Sequence, residues 1–237
     1  MKRILPFIII LVVLGAALGS AWYLTQPKPA PAPQTVSQQP APGSQGTPAQ
    51  QPVARQGVPG AEPAHSLGPA NAPVQLEEFG DYECPPCGML HPILGEMRQE
   101  FGNRLRITFR NNPLATHQYA RAAASAAEAA GIQGKFWEMH DRIYERQNSW
   151  KTQFNPPAIF EGYASEIGLD VERYKRDIGG ALVAQRIFQD LQRGQSLGVG
   201  GTPTVFINGR EVPFENLPAE KLRLVIMKEI QAAGSSK

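Results

Sequence analysis

EFGDYECPPCG, the stretch from Glu78 to Gly88, contains both cysteines of this 237-residue chain. Two residues separate Cys84 from Cys87, and the pair follows a strand-like run, Val74–Phe79. If a helix begins at Pro85, Cys84 lies at its N-terminus, where unpaired backbone N–H groups and the helix dipole favour a negatively charged sulfur. Because the thiolate is the reactive form of cysteine, this arrangement indicates redox chemistry.

Two other roles for the cysteine pair are a metal half-site and a structural staple. Zinc needs about four ligands, but the chain has no second cysteine pair and its four histidines are scattered; they are His65, His91, His117 and His140. A disulfide that closes so short a loop removes little entropy from the unfolded chain. We therefore expect no metal, and no cofactor other than a redox-active Cys84–Cys87 disulfide.

The charge balance argues against a polyanionic partner. The chain has 23 Lys and Arg against 21 Asp and Glu, and four of the basic residues precede residue 66. The part that follows is close to neutral. A nearly neutral domain gives no indication of nucleic-acid binding.

The N-terminal region predicts export from the cytoplasm. Ile4–Leu24 is an uncharged, mostly apolar run, and as a helix it would span roughly 32 Å, enough to cross a hydrocarbon core of about 30 Å. Lys2 and Arg3 precede it, so the positive-inside tendency places the rest of the chain on the extracytoplasmic side. We expect residues 1–25 to form a single-pass anchor in the cell membrane. The other interpretation is a signal peptide cleaved near Gly19–Ala21, which would leave a soluble periplasmic or secreted protein.

Residues 26–66 are predicted to be a disordered linker. They contain 10 of the 22 prolines, with abundant Gln, Ala and Gly and almost no large apolar residues, a composition that does not support a packed core. The folded domain is predicted to cover residues 67–237.

Within that domain the apolar pattern predicts an α/β fold. Strands are expected at residues 74–79 and 104–110, separated by a helix over residues 85–101 that proline at position 92 should kink. Residues from about 115 to 198 show only helical patterns. They are followed by a strand, an Asn208-Gly209 turn of the hairpin type, a second strand, and a helix that Pro218 opens.

This order of elements resembles the DsbA-like thiol:disulfide oxidoreductases of the membrane-tethered bacterial type, which have a thioredoxin fold with an inserted all-helical subdomain. Two separated motifs support the resemblance, FGDYECPPC at residues 79–87 and GVGGTPTVFING at residues 198–209. Such a pair in this order is far more specific than a lone Cys-x-x-Cys.

The resemblance assigns roles to individual residues. Cys84 would be the nucleophile that forms a mixed disulfide with a client protein, and Cys87 the more buried resolving thiol. Thr202 and Pro203 would form the family's cis-proline loop, which binds an extended client segment beside the cysteines.

The resemblance also implies a buried acid beneath the cysteines. Glu78 lies six residues before Cys84 and matches that position, so it would accept the proton of Cys87 in the resolving step. Its neighbour Glu77 fits the sequence nearly as well.

Pro85 and Pro86 separate the two cysteines, where the best-known oxidant of the family has a histidine. Pro86 offers Cys84 neither a positive charge nor a backbone N–H, and nearby Asp81 and Glu83 are negative. We therefore expect a Cys84 pKa that is less depressed than in strongly oxidising relatives, and a less oxidising disulfide.

The function implied is an exported thiol:disulfide oxidoreductase that introduces disulfides into unfolded or partly folded client proteins. A membrane redox partner, of the quinone-linked oxidase type, would recycle it. Two alternatives remain: a reductase or isomerase that a membrane partner keeps reduced, and a binding module or chaperone that uses the groove without turnover.

Overall fold

The computed structural model describes residues 65–235, and these contain one mixed sheet of five strands in the order β1-β3-β2-β4-β5. The strands are β1 His65–Leu67, β2 Val74–Gly80, β3 Leu105–Asn111, β4 Thr204–Ile207 and β5 Arg210–Val212. The central strand β2 runs parallel to β3 and antiparallel to β4. The end of β2 therefore lies in the middle of the sheet and leads directly into the cysteine motif.

Strand β1 corrects the predicted boundary between linker and domain. The linker was expected to reach residue 66, but His65 and Ser66 already pair with β3 in an antiparallel register. Hydrogen bonds from Ser66 to Thr108, at 2.8 Å, and from His65 to Glu128, at 2.8 Å, hold the strand in place. Three residues are too few for an alternating apolar pattern, so this edge strand depends on tertiary contacts that the sequence does not display.

Eight α-helices lie within the described residues, together with 3-10 turns at Gly102–Arg104 and Phe214–Asn216. They are α1 Pro85–Phe101, α2 Ala120–Ile132, α3 Phe136–Glu145, α4 Gln147–Trp150, α5 Pro156–Glu166, α6 Val171–Asp177, α7 Ala181–Ser196 and α8 Ala219–Ser235. Helix α1 continues through Pro92 as one helix of 17 residues. Between β3 and β4 the described chain is helical, as predicted for the inserted subdomain.

The predicted hairpin is present between β4 and β5. Asn208 and Gly209 both adopt positive φ angles, 49° and 78°, as a two-residue hairpin turn with the twist of the flanking strands requires. The Asn208 side chain also accepts a hydrogen bond from the Gln75 backbone N–H at 2.9 Å. The turn is thereby tied to the start of β2.

Two apolar cores flank the cysteine motif. One lies between the sheet and helices α1 and α8, and contains Val74, Leu76, Leu90, Leu94, Met97 and Ile226. The other fills the helical subdomain, where the buried alanines of α2 let its neighbours approach closely. Cys84 and Cys87 belong to the second core, so the motif lies where the sheet domain meets the helical subdomain.

None of the helices between His65 and Ser235 combines the length and apolar character needed to cross a membrane. The predicted anchor, Ile4–Leu24, and the linker up to residue 64 lie outside the described residues.

Candidate active site

Cys84 lies at the N-terminus of α1, as the sequence predicts. It is the N-cap residue, with extended backbone angles, and Pro85 and Pro86 occupy the first two helical positions. Proline is well suited there because the first helical N–H groups lack intrahelical partners anyway. The Cys84 residue is only 5% exposed, so a client must reach its sulfur through the surface around it.

The pKa of Cys84 is lowered to about 6 from an ordinary value of 9. A hydrogen bond from the Cys87 thiol contributes most, and burial opposes it; Thr202 and the Cys87 backbone N–H help further, against the charge of Asp81. The backbone N–H contribution follows from the sequence, whereas the hydrogen bond from the Cys87 thiol appears only in the structure. At neutral pH the sulfur of Cys84 is thus largely a thiolate, the form that attacks disulfides and leaves readily from them.

Cys87 has the opposite character. It is fully buried, and burial, followed by its hydrogen bond to Cys84 and the charge of Glu78, raises the pKa of its thiol far above the ordinary range. Cys87 therefore needs a proton acceptor before it can attack. The two thiols differ in the way that the nucleophilic and resolving roles require.

Glu78 is the carboxyl group whose charge interacts with those of the two thiols. It lies on β2, is 3% exposed, and its Oε1 has no hydrogen-bond partner within the described part of the chain. Burial, with a smaller effect from Cys84, raises its pKa to about 8 from 4.5. A carboxyl group that titrates near neutral pH can both give and take a proton there.

Glu77 is excluded from this position by the alternation of the strand. Successive side chains of β2 point to opposite faces of the sheet, and Glu77 forms ion pairs with Arg110, at 2.8 Å, and Arg193, at 3.1 Å. Its carboxylate therefore lies on the face away from Cys87 and is already paired. Between the two acids that fit the sequence, the geometry selects Glu78.

Thr202 and Pro203 complete the wall opposite α1. The peptide bond between them is cis, as predicted, and the Thr202 carbonyl oxygen lies 3.4 Å from the Cys84 sulfur. This loop therefore places the Thr202 backbone carbonyl beside the reactive sulfur, where an extended peptide could pair with the backbone.

Sequence reasoning missed the residues that brace the motif from the helical subdomain. The buried Gln147 side chain donates to the carbonyl oxygens of Tyr82 and Cys84, both at 2.8 Å. A Cβ at Gly88 would come within 2.6 Å of that Gln147 side chain, so glycine is required for this approach. Gly88 was the available signal, since a glycine within the first turns of a helix often marks close packing.

Asp81 braces the other side of the motif rather than acting only as a nearby charge. Its side chain accepts hydrogen bonds at 2.8 Å from the backbone N–H groups of Glu83 and Leu114, and it contacts His117 Nδ1 at 2.8 Å. Although burial opposes it, the hydrogen bond and charge of Asp81 raise the pKa of His117 above its ordinary value. When His117 is protonated, its charge offsets part of the negative charge near Cys84 that the sequence predicted.

An apolar groove of about 310 Å³ adjoins the cysteine motif and the cis-proline. Its lining includes Pro86, Met89, Pro203 and Phe214. Met89 and Phe214 are 64% and 61% exposed, although large apolar side chains are usually covered in a soluble domain. Adjacent exposed apolar residues of this kind are typical of protein-interaction sites.

Comparison with known proteins identifies the class to which this fold and site belong. A family model described as thioredoxin matches residues 61–228. The chain therefore belongs to the thioredoxin family.

Solved structures of DsbA-type and other thioredoxin-like proteins share this fold. BdbD from Bacillus subtilis, in its oxidised form, superposes with a TM-score of 0.62 and 24% identity, over 70% of this chain and 92% of that one. The thiol-disulfide exchange protein alpha-DsbA2 from Wolbachia pipientis gives 0.59 and 22%, over 69% and 85%. A thioredoxin-like oxidoreductase from Silicibacter pomeroyi DSS-3 gives 0.60 and 24%, over 77% and 99%. The predicted DsbA-like fold is confirmed.

Curated relatives match at higher identity but are much longer proteins. The Na(+)/H(+) antiporter NhaA 1 of Salinispora arenicola is 43% identical over 147 residues, which are 62% of this chain and 22% of that protein. The antiporter NhaA 3 of Salinispora tropica is 40% identical over the same shares. This chain thus spans about a fifth of the length of the curated relatives it matches.

Proposed function

We propose that this protein is an extracytoplasmic thiol:disulfide oxidoreductase that introduces disulfides into exported client proteins through Cys84 and Cys87. The observation that carries the proposal is the asymmetry of the site. One sulfur has a pKa of about 6 beside a cis-proline loop, and the other is fully buried with its pKa raised.

The proposed reaction begins with the Cys84–Cys87 disulfide. A client thiolate attacks the Cys84 sulfur, the bond between the two cysteines breaks, and Cys87 leaves as a thiolate that takes a proton from Glu78. A second client thiolate then attacks the client sulfur of the mixed disulfide. Cys84 leaves as a thiolate, the client gains a disulfide, and this protein holds the two electrons as a dithiol.

The site supports each part of this sequence. Cys84 is a good leaving group because its pKa is about 6, and Glu78, with a pKa of about 8, carries a proton at neutral pH. The apolar groove lined by Met89 and Phe214 suits unfolded clients, whose apolar side chains are not yet buried.

The cellular setting of the proposal comes from the sequence. The apolar run at residues 4–24 would anchor the protein in the cell membrane with the domain on the periplasmic side, or would be cleaved to leave a soluble periplasmic or secreted protein. In that compartment disulfides form and persist. A membrane protein of the quinone-linked oxidase type would then accept the electrons, and the near-neutral domain gives no reason to expect nucleic acid as a partner.

Trapping of client intermediates tests the proposed chemistry. In cells that express Cys87→Ser, Cys84 cannot be released by its partner, so we expect client proteins of the cell envelope to accumulate as mixed disulfides that a thiol reductant dissolves. Cys84→Ser is the matched control and should trap none. Client complexes that are only non-covalent would overturn the proposal in favour of a binding module.

The resting redox state distinguishes the direction of electron flow. Alkylation of free thiols in intact cells should find Cys84 and Cys87 of the unmodified protein mostly as a disulfide, because a donor must be oxidised to act. A pair found mostly reduced would favour a reductase or isomerase instead.

A further inference from the structure

A second cavity, which contains polar groups, lies behind the cysteine motif, between helices α1 and α3 and the sheet. Its volume is about 430 Å³, and its lining includes Glu78, His91, His140 and Asp141. The two histidines are 49 positions apart in the sequence, where they gave no sign of a shared site. The fold brings them to the same cavity.

His91, His140 and Asp141 are close enough to share one ion. Each offers a ligand atom, and the three atoms lie within 4.8 Å of one another. In a tetrahedral zinc site, with bonds of about 2.1 Å, ligand atoms are about 3.4 Å apart. The three ligand atoms must therefore move slightly closer together to bind one ion. The Asp141 side chain can supply this movement, because it is half exposed and contacts His91 Nε2 at 3.0 Å.

The His140 ring is held in place by its neighbours. Its Nδ1 lies 3.0 Å from the Tyr82 hydroxyl, and its ring packs edge-on against Phe109 and Trp137, with centroids 4.6 and 5.0 Å away. If Nδ1–H donates to the Tyr82 oxygen, Nε2 is left with its lone pair available. A metal-binding histidine commonly has its other nitrogen fixed in this way.

Glu78 provides an independent sign of a cationic ligand. Its carboxyl group lines the same cavity, is almost fully buried, and leaves Oε1 without a hydrogen-bond partner among residues 65–235. Asp141 and Glu145 add two further carboxylates to the lining, against one cation, Arg98. A cation bound in the cavity would replace the proton of Glu78 and give its buried oxygen a partner.

We propose that this cavity binds one divalent first-row transition metal ion of the zinc type, through His91, His140 and Asp141, with the Glu78 carboxylate facing the same volume. Imidazole and carboxylate ligands together suit zinc, and also cobalt as its spectroscopic substitute. The half-exposed Asp141 gives the ion a route in from solvent. This inference does not depend on the proposed thiol chemistry.

Cobalt binding tests the site directly. The full-length, tag-free chain carrying both Cys84→Ser and Cys87→Ser is titrated with Co²⁺, because without its two thiols it cannot bind the ion through sulfur. We expect one equivalent to bind with the visible bands of tetrahedral cobalt, and Zn²⁺ to displace it. Absence of binding by this variant would overturn the proposal.

Ligand variants locate the ion. On the same background His140→Gln and Asp141→Asn should each weaken binding by at least about tenfold, the lower end of the range for groups around a bound metal. His65→Gln is the matched control, because His65 also pairs with a carboxylate, Glu128, but is not among the residues that line the cavity, and it should bind as the parent does. Asp141→Asn changes a half-exposed residue and is expected to fold even if His140→Gln does not. Unchanged affinity in Asp141→Asn would place the ion elsewhere and overturn the assignment.

Discussion

The two faces of strand β2 place their acidic residues in opposite environments. On one face Glu77 is satisfied by Arg110 and Arg193. On the other, the adjacent Glu78 is buried with an unpartnered oxygen, and burial raises its pKa to about 8. Paired buried charges hold a structure in one arrangement, whereas an unpaired one keeps a proton exchangeable near neutral pH. The contrast separates the structural face of the sheet from the reactive one.

A network of charged and polar groups extends from the structural face. Arg110 also pairs with Asp190 at 3.1 Å, and Asp190 accepts hydrogen bonds from the backbone of Asn111, at 3.1 Å, and from Arg186. Asn111 continues the network to Glu128, at 2.6 Å. The network joins β2, β3, α2 and α7, so it ties the helical subdomain to the sheet.

The largest expected effect comes from breaking this network. Arg110→Met leaves Glu77 and Asp190 without their shared cation in a buried setting. We expect a loss of about 3–5 kcal/mol in the free energy of unfolding, measured with urea. Disulfide exchange per folded molecule should change little. Arg223→Met removes an exposed ion pair with Glu100 and should cost less than about 1 kcal/mol; equal losses in the two variants would contradict the structural role of the network.

Titration of Glu78, on the reactive face, should make the free energy of unfolding depend on pH. Glu78 binds its proton more tightly in the folded state, with a pKa of about 8 against 4.5, so its stabilising contribution is complete below about pH 4.5 and is lost as the pH rises to about 8. At up to about 1.4 kcal/mol per pH unit, the loss reaches about 4 kcal/mol.

The measurement compares unfolding of the disulfide form of the unmodified protein with that of Glu78→Gln, at several pH values. The disulfide form is used because the reduced protein adds an opposite trend. In the reduced protein the Cys84 pKa is about 6, below its ordinary value of 9, so the stabilising contribution of Cys84 increases as the pH rises from about 6 to 9. Glu78→Gln should remove the decline toward pH 8. Parallel curves for the two proteins would show that Glu78 does not titrate as described.

Exchange kinetics test the contrast between the two faces most directly. In the proposed mechanism Glu78→Gln removes the proton acceptor of Cys87, so resolution of a mixed disulfide between Cys84 and a small thiol should slow by about 10²-fold, the lower end for general acid–base catalysis. Stopped-flow release of the small thiol measures this step. Glu77→Gln, one residue away on the structural face, should leave the rate nearly unchanged, and an equal slowing there would assign the effect to the strand rather than to the acid.

The sequence could predict the parts of the site that depend on local geometry. The helix start at Pro85, the position of Cys84 at its N-terminus and the cis peptide bond before Pro203 follow from proline chemistry and from the resemblance between motifs. The choice between Glu77 and Glu78 depended on which face of β2 meets α1. The structure resolves it through the ion pairs of Glu77.

The remaining features depend on contacts between distant parts of the chain. Gln147 reaches the cysteine loop across 63 positions, and strand β1 is defined only by its pairing with β3. His91 and His140 meet because α1 packs near α3. No local pattern encodes these approaches, since they are set by how the helical subdomain packs against the sheet.

The smallest expected effect concerns the residue between the cysteines that adjoins Cys87. Pro86 occupies the second helical position, carries no charge and donates no hydrogen bond. Pro86→His would place an imidazolium near the Cys84 sulfur and should lower the Cys84 pKa from about 6 by about one unit. Titration of thiolate absorbance measures the shift, and a lower pKa should make the disulfide more oxidising.

Pro86→Ala separates charge from backbone in this experiment. It restores an N–H at the second helical position without adding a charge, so its shift should be smaller than that of the histidine variant. If both variants lower the pKa equally, the missing backbone donor, rather than the missing charge, is what limits thiolate stabilisation at Cys84. If neither does, the pKa is determined by the Cys87 thiol and the other groups around Cys84, and the dipeptide between the cysteines does not tune the oxidising strength of this protein.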